Sequence, residues 1–266
     1  MPFELLYLWL PAVYLSYRLL RPCKPLAEDD TTWHGVLLFA LGYLALQLAI
    51  PTLLPLFIPG GINTENYYAD LIPMLSLQAT ATAAAAAIIL IMARTLPLGM
   101  EGHAGLRPHR GSFAVVIAFA TWIAWAPVMM LAAALNGAII EVLNFDVADS
   151  QLIIQAFRAD SEARESVVVW LSAALVVPIG EEILFRGALH GGLRRWMPPS
   201  VAAAVSGFTF GAMHDAAAML PVAALGFLLA MLYERTRSLT APILVHVIHN
   251  TVQLVILTTA PEMLTP

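Results

Sequence analysis

The stretch Val176-Val-Pro-Ile-Gly-Glu-Glu-Ile-Leu-Phe-Arg-Gly187 sets two adjacent carboxylates and an arginine inside an apolar run. An ionisable side chain in a membrane-spanning segment costs at least about 2.5–3.5 kcal/mol on insertion scales, so each is a functional-site hypothesis with a partner to be named. On a helix Glu182 and Arg186 stand at i and i+4, where a carboxylate and a guanidinium can meet. Glu181 points about 100° away from Glu182 around the axis. One carboxylate can then be structural and the other chemical.

Outward from this stretch, composition decides the class. With 60% hydrophobic residues and 12% charged, and a mean hydropathy of +0.79, the chain reads as a polytopic helical membrane protein rather than a domain with a polar surface. The apolar segments follow one another with short polar breaks, so a single membrane domain over 1–266 is expected. The lone cysteine, Cys23, excludes an internal disulfide and a cysteine-only metal site. There is no basic stripe interleaved with aromatics, hence no nucleic-acid partner is expected.

Eight spans are expected, near 3–20, 34–57, 71–96, 113–135, 166–193, 199–214, 216–233 and 241–259. The first lacks a basic n-region and a small-residue cleavage site, and reads as a retained span rather than a signal peptide. The sixth is short for a crossing of roughly 20 residues, and could be tilted or re-entrant. Arg18, Arg21 and Lys24, then Arg94, Arg107 and Arg110, then Arg194 and Arg195, then Arg235 and Arg237 all fall on one side of this arrangement. The positive-inside rule makes those loops cytoplasmic and puts both termini outside. An interfacial amphipathic helix is expected around Leu152–Phe157, in the long outer segment 136–165, and a solvated loop with some helix is the alternative there. The alanine-rich Ala79–Ala87 reads as close helix packing. High alanine content and short loops point to a prokaryotic inner membrane.

The remaining polar residues inside spans are few. Span six ends in Phe210-Gly-Ala-Met-His214, and span eight contains His246-Val-Ile-His-Asn250, in which His246 and Asn250 share a face. With a rise of 1.5 Å per residue, Glu181 lies about 20 Å in from Arg195, His214 about 22 Å in from Pro199, and His246 and Asn250 roughly 9 and 15 Å in from Thr240. Three helices can therefore bring a carboxylate, two imidazoles and a carboxamide to one depth. Such a set can hold and polarise water and stabilise an oxyanion.

Glu-Glu-x-x-x-Arg at Glu181–Arg186, Phe-x-x-x-His at Phe210–His214 and His-x-x-x-Asn at His246–Asn250, on successive helices, resemble the CPBP family of intramembrane proteases. This is the CAAX-protease and bacteriocin-processing family, also called Abi. Val-Val-Pro-Ile before the glutamates and Tyr233-Glu-Arg-Thr-Arg-Ser-Leu239 ahead of the last motif resemble it too. The likeness covers about 150–255, the expected catalytic core, and leaves 1–135 as spans without a motif. It implies an all-α fold of about eight transmembrane helices around a polar intramembrane cavity. It also implies an endopeptidase acting on a membrane-associated protein or peptide, of CAAX-type prenyl-protein or peptide-precursor kind. Carried over, Glu181 is the general base, His214 holds the water, and His246 and Asn250 bind water or oxyanion; Glu182, Arg186 and Phe210 support them. Glu181, His214 and His246 would also suit one divalent metal such as zinc, whereas a glutamate-activated water needs no cofactor and uses the same residues.

Other readings remain open in the residues. Glu182 with Arg186 can be a structural pair, Asp215 can partner His214, and His246 with Asn250 can be interhelical polar packing. His190 and His249 stay unassigned. A non-catalytic immunity or scaffold protein of the same fold, or a proton-coupled transporter, are the competing functions. The first predicts full activity without Glu181; the second calls for an inverted repeat, and none is visible.

Overall fold

The computed structural model describes residues 14, 36–47, 71–94, 111–145 and 167–259. The expected first span apart from Tyr14, Cys23, the loop cations Arg18, Arg21, Lys24, Arg107 and Arg110, and the expected interfacial helix lie outside the described residues. Among the described residues there is no strand. The helices are α1 (Val36–Gln47), α2 (Leu71–Arg94), α3 (Gly111–Leu143), α4 (167–193), α5 (Pro199–Ala212), α6 (Met219–Thr236) and α7 (Thr240–Thr259). Three of the described helices are long and apolar enough to cross a membrane: Val115–Leu143 within α3, then α6 and α7.

Polarity is distributed inside out. Val116, Met130, Leu131 and Val142 of α3 are exposed, while Glu182, Arg186, His190, Arg194, Glu234 and His246 are buried. An apolar outer surface over a polar interior is stable where lipid is the solvent, because buried charges pair with one another instead of with water.

Helix α3 runs to Leu143 rather than stopping at 135 as the sequence suggests. The polar Asn136 that ends the apolar run is buried and satisfied. Its Nδ2 donates to Ala216 O and Ala217 O, each at 2.9 Å. Its Oδ1 accepts Leu220 N–H at 3.3 Å. A side chain so matched costs the helix little. The helix ends instead at Asn144, whose φ of 51° is left-handed, a conformation asparagine tolerates better than most residues. Phe145 N–H closes the end on Ile140 O at 3.1 Å, the six-to-one bond of a Schellman cap.

Helix α5 has 14 residues, about 21 Å at the α-helical rise, and is shorter than a bilayer core of about 30 Å. It packs on α6 through Gly207 and Gly211, four residues apart. A Cβ on Gly207 would meet Phe227 N at 2.6 Å, and one on Gly211 would meet Met219 O at 2.3 Å. The two backbones approach closely because these side chains are missing. Gly207→Ala is expected to destabilise the protein by about 1–3 kcal/mol, read as a lower Tm in detergent. Gly137→Ala, with nothing among the described residues within 4 Å of the new carbon, is expected to leave Tm unchanged or raise it. Equal Tm values for wild type and Gly207→Ala would contradict the packing.

Helix α4 is irregular where the chemistry lies. Two π-helical segments, Ser172–Val176 and Ile183–His190, bracket the α-helical Val177–Glu182. In π geometry an amide reaches five residues back, and Val177 N–H bonds to Ser172 O. The next rung would run from residue 178 to Ala173, but Pro178 has no N–H. Asn250 of α7 takes its place, with Nδ2 donating to Ala173 O at 2.9 Å. A proline in one motif thus frees the carbonyl that docks another.

Candidate active site

Glu182 is fully buried, and its Oε1 takes two partners at 2.8 Å, Arg186 Nη1 and His246 Nδ1. A carboxylate only accepts, so His246 carries a proton on Nδ1 and is held as Asp holds His in a hydrolase triad. Arg186 Nη2 also donates to Gly226 O at 3.1 Å. Its guanidinium carbon lies 4.7 Å from the centroid of the Phe210 ring, within cation–π range. Phe210 is the hub: its ring meets His214 at 4.8 Å and His246 at 5.5 Å, both edge-on. Among the described residues Glu182 Oε2 and Arg186 Nε have no hydrogen-bond partner, so the pair is satisfied there on one edge, and its partners are correspondingly hard to remove.

Glu181 reaches the other side of the same imidazole. Its Oε2 lies 3.7 Å from His246 Nε2 and its side chain is 16% exposed, against none for Glu182. The two neighbouring carboxylates therefore differ as the helical angle between them suggests: one is enclosed in an ion pair, the other is partly exposed beside His246. His214 donates from Nδ1 to Phe210 O at 2.8 Å, since a carbonyl cannot donate. In the neutral ring its Nε2 is then an acceptor. Asp215 does not partner His214 but accepts Ala217 N–H at 3.0 Å, in the turn that Asn136 clamps.

Phe210, His214, His246, His249 and Asn250 line one cavity of about 300 Å³ together with Gln253 and the apolar Val222, Leu225, Leu254 and Leu257. Polar and apolar side chains thus share one wall, a mixed lining of the kind that ligand pockets have. Among the described residues no three His, Cys, Asp or Glu side chains are gathered as ligands for one ion.

Sequence reasoning missed three contributors. Trp122 of α3 donates to His249 Nδ1 at 3.1 Å, and Asn136 fixes the turn after His214. Glu234 of α6 forms a second buried cluster: His190 Nε2 lies 3.0 Å from its Oε1, Arg194 Nε bonds to the same oxygen, and Arg237 Nη2 lies 3.2 Å from Oε2. Arg237 adopts φ 52° at the end of α6, a position that favours glycine, and its ion pair gives the larger side chain a use there. The cluster joins the α4–α5 turn to the α6–α7 turn. The advance signals are polarity inside an apolar segment and, for Glu234, the stretch Tyr233–Leu239 around it.

Residues 163–252 match the family model described as Rce1-like, type II CAAX prenyl endopeptidase Rce1-like. Over 80 residues the chain is 38% identical to the Bacillus subtilis (strain 168) protein named "Putative membrane peptidase YdiL", which covers 30% of this chain and 33% of that protein. The alignment thus spans about a third of the curated relative's length. No solved structure matches the chain. The matched segment holds every motif residue from Glu181 to Asn250, and over residues 163–252 the chain is similar to the Rce1-like CAAX prenyl endopeptidases.

Proposed function

We propose that the chain is an intramembrane endopeptidase that hydrolyses a peptide bond of a membrane-associated protein or peptide by a glutamate-activated water. The observation that carries this reading is the convergence of Glu181 and Glu182 on opposite nitrogens of His246, at a ring that lines the cavity beside His214 and Asn250. Glu181 takes a proton from water as the oxygen attacks the scissile carbonyl. The C–N bond then breaks, and the proton passes from Glu181 to the leaving amine. His214 Nε2 accepts a hydrogen bond from the attacking water and orients it. Glu182 and Arg186 hold His246 in place, and the free N–H of Asn250 donates to the developing oxyanion.

About eight helices around a polar intramembrane cavity, with the basic loops cytoplasmic in a prokaryotic inner membrane, complete the proposal. The catalytic core occupies 150–255, and a prenylated or precursor peptide approaches from the bilayer. The test uses vesicles carrying the purified chain and total membrane protein from the expressing cells, scored for new free α-amines. Release is expected with wild type, to be lost with Glu181→Gln, and to persist after 1,10-phenanthroline or EDTA. Loss on chelation with recovery on added zinc would replace the glutamate mechanism by a metal-assisted one, and release by Glu181→Gln equal to wild type would favour the scaffold reading.

A further inference from the structure

We propose that His249 is a further catalytic residue of the protease reading above, on which this inference rests: a neutral imidazole whose Nε2–H donates to the scissile carbonyl oxygen. Hydrogen-bond donors along the cavity wall are few. His246 directs Nδ1 to Glu182 and Nε2 towards Glu181. His214 spends its ring N–H on Phe210 O, leaving an acceptor. Asn250 spends one N–H on Ala173 O. An oxyanion on this wall therefore finds one remaining N–H of Asn250 and needs a second donor.

His249 supplies it because of Trp122. An indole N–H only donates, so the 3.1 Å bond from Trp122 Nε1 to His249 Nδ1 requires a lone pair on Nδ1 and places the ring hydrogen on Nε2. The rings also meet edge to face, with centroids 6.4 Å apart. Nδ1 is turned to α3, and the ring borders the cavity beside His246 and Asn250. His249 Nε2 has no protein partner among the described residues. Trp122 is a positioning residue, and it brings the motif-free helix α3 into the chemistry.

The test has two readouts on the full-length chain. One is the rate at which Glu181-dependent new termini appear in total membrane protein from the expressing cells. The other is the ring nitrogen shifts of the histidine-labelled protein in detergent, which report the tautomer. His249→Leu is expected to slow cleavage roughly a hundredfold, the usual effect of losing one oxyanion donor, and His249→Gln, which keeps an N–H, to recover most of it. Trp122→Phe is expected to give a mixture of tautomers and a partial loss of rate with Tm little changed. If His249→Leu stays within about twofold of wild type while Glu181→Gln is silent, the protease reading stands and this inference falls. A wild-type His249 protonated on Nδ1 would also overturn it. Should His249→Leu fail to fold, Trp122→Phe decides, since a changed tautomer with an unchanged rate removes the role. Termini that are the same with Glu181→Gln as with wild type overturn both readings together.

Discussion

Glu181→Gln is expected to lower peptide hydrolysis by roughly a hundred- to ten-thousand-fold, the range a positioned general base supplies, with the fold intact. The amide is nearly isosteric and removes only the ability to take a proton. Glu181 is not held in the ion pair: Glu182 carries the bonds to Arg186 and His246, and Glu181 approaches His246 no closer than 3.7 Å. Tm and detergent-extracted yield should therefore match wild type while product formation disappears. A variant that loses yield and activity in proportion would show that Glu181 supports the fold instead.

The second large effect is the reverse case. Arg186→Met is expected to destabilise the protein by about 3–5 kcal/mol, because it leaves the Glu182 carboxylate charged and buried without its cation. It also withdraws the donor to Gly226 O and the cation over Phe210. Adding Glu182→Gln in the same chain is expected to recover much of that loss, since the stranded charge is gone, yet not the activity, since His246 no longer has a carboxylate to fix its Nδ1 proton. A double-mutant cycle read by thermal unfolding measures the coupling. Additive effects would mean that the pair is not a unit.

Much of this arrangement is legible in the sequence because it is local. The i, i+4 spacing of Glu182 and Arg186 gives their contact, and the angle between Glu181 and Glu182 gives their different surroundings. Hydropathy places α4, α6 and α7 within a few residues of where they lie. What escapes depends on partners far along the chain. Nothing near Asn136 says that its amide will be met by carbonyls 80 and 81 residues later, so the apolar run is read as ending there. The π register of α4 is equally hidden: Pro178 marks a missing donor, but which carbonyl it frees depends on whether the turn is α or π. His249 stood beside the motif face without a role until Trp122, 127 residues earlier, fixed its tautomer. Glu234 drew notice only through the stretch around it, because His190 and Arg194 reach it from another helix.

The most direct measurement is a comparison of protein N- and C-termini in cells carrying the wild-type chain and cells carrying Glu181→Gln at equal abundance. It assumes no substrate. The account predicts new termini with the wild type alone, arising in membrane-associated proteins or peptides. Indistinguishable sets of termini across growth conditions would contradict it, and the geometry around His246 would then belong to a membrane scaffold rather than to a protease.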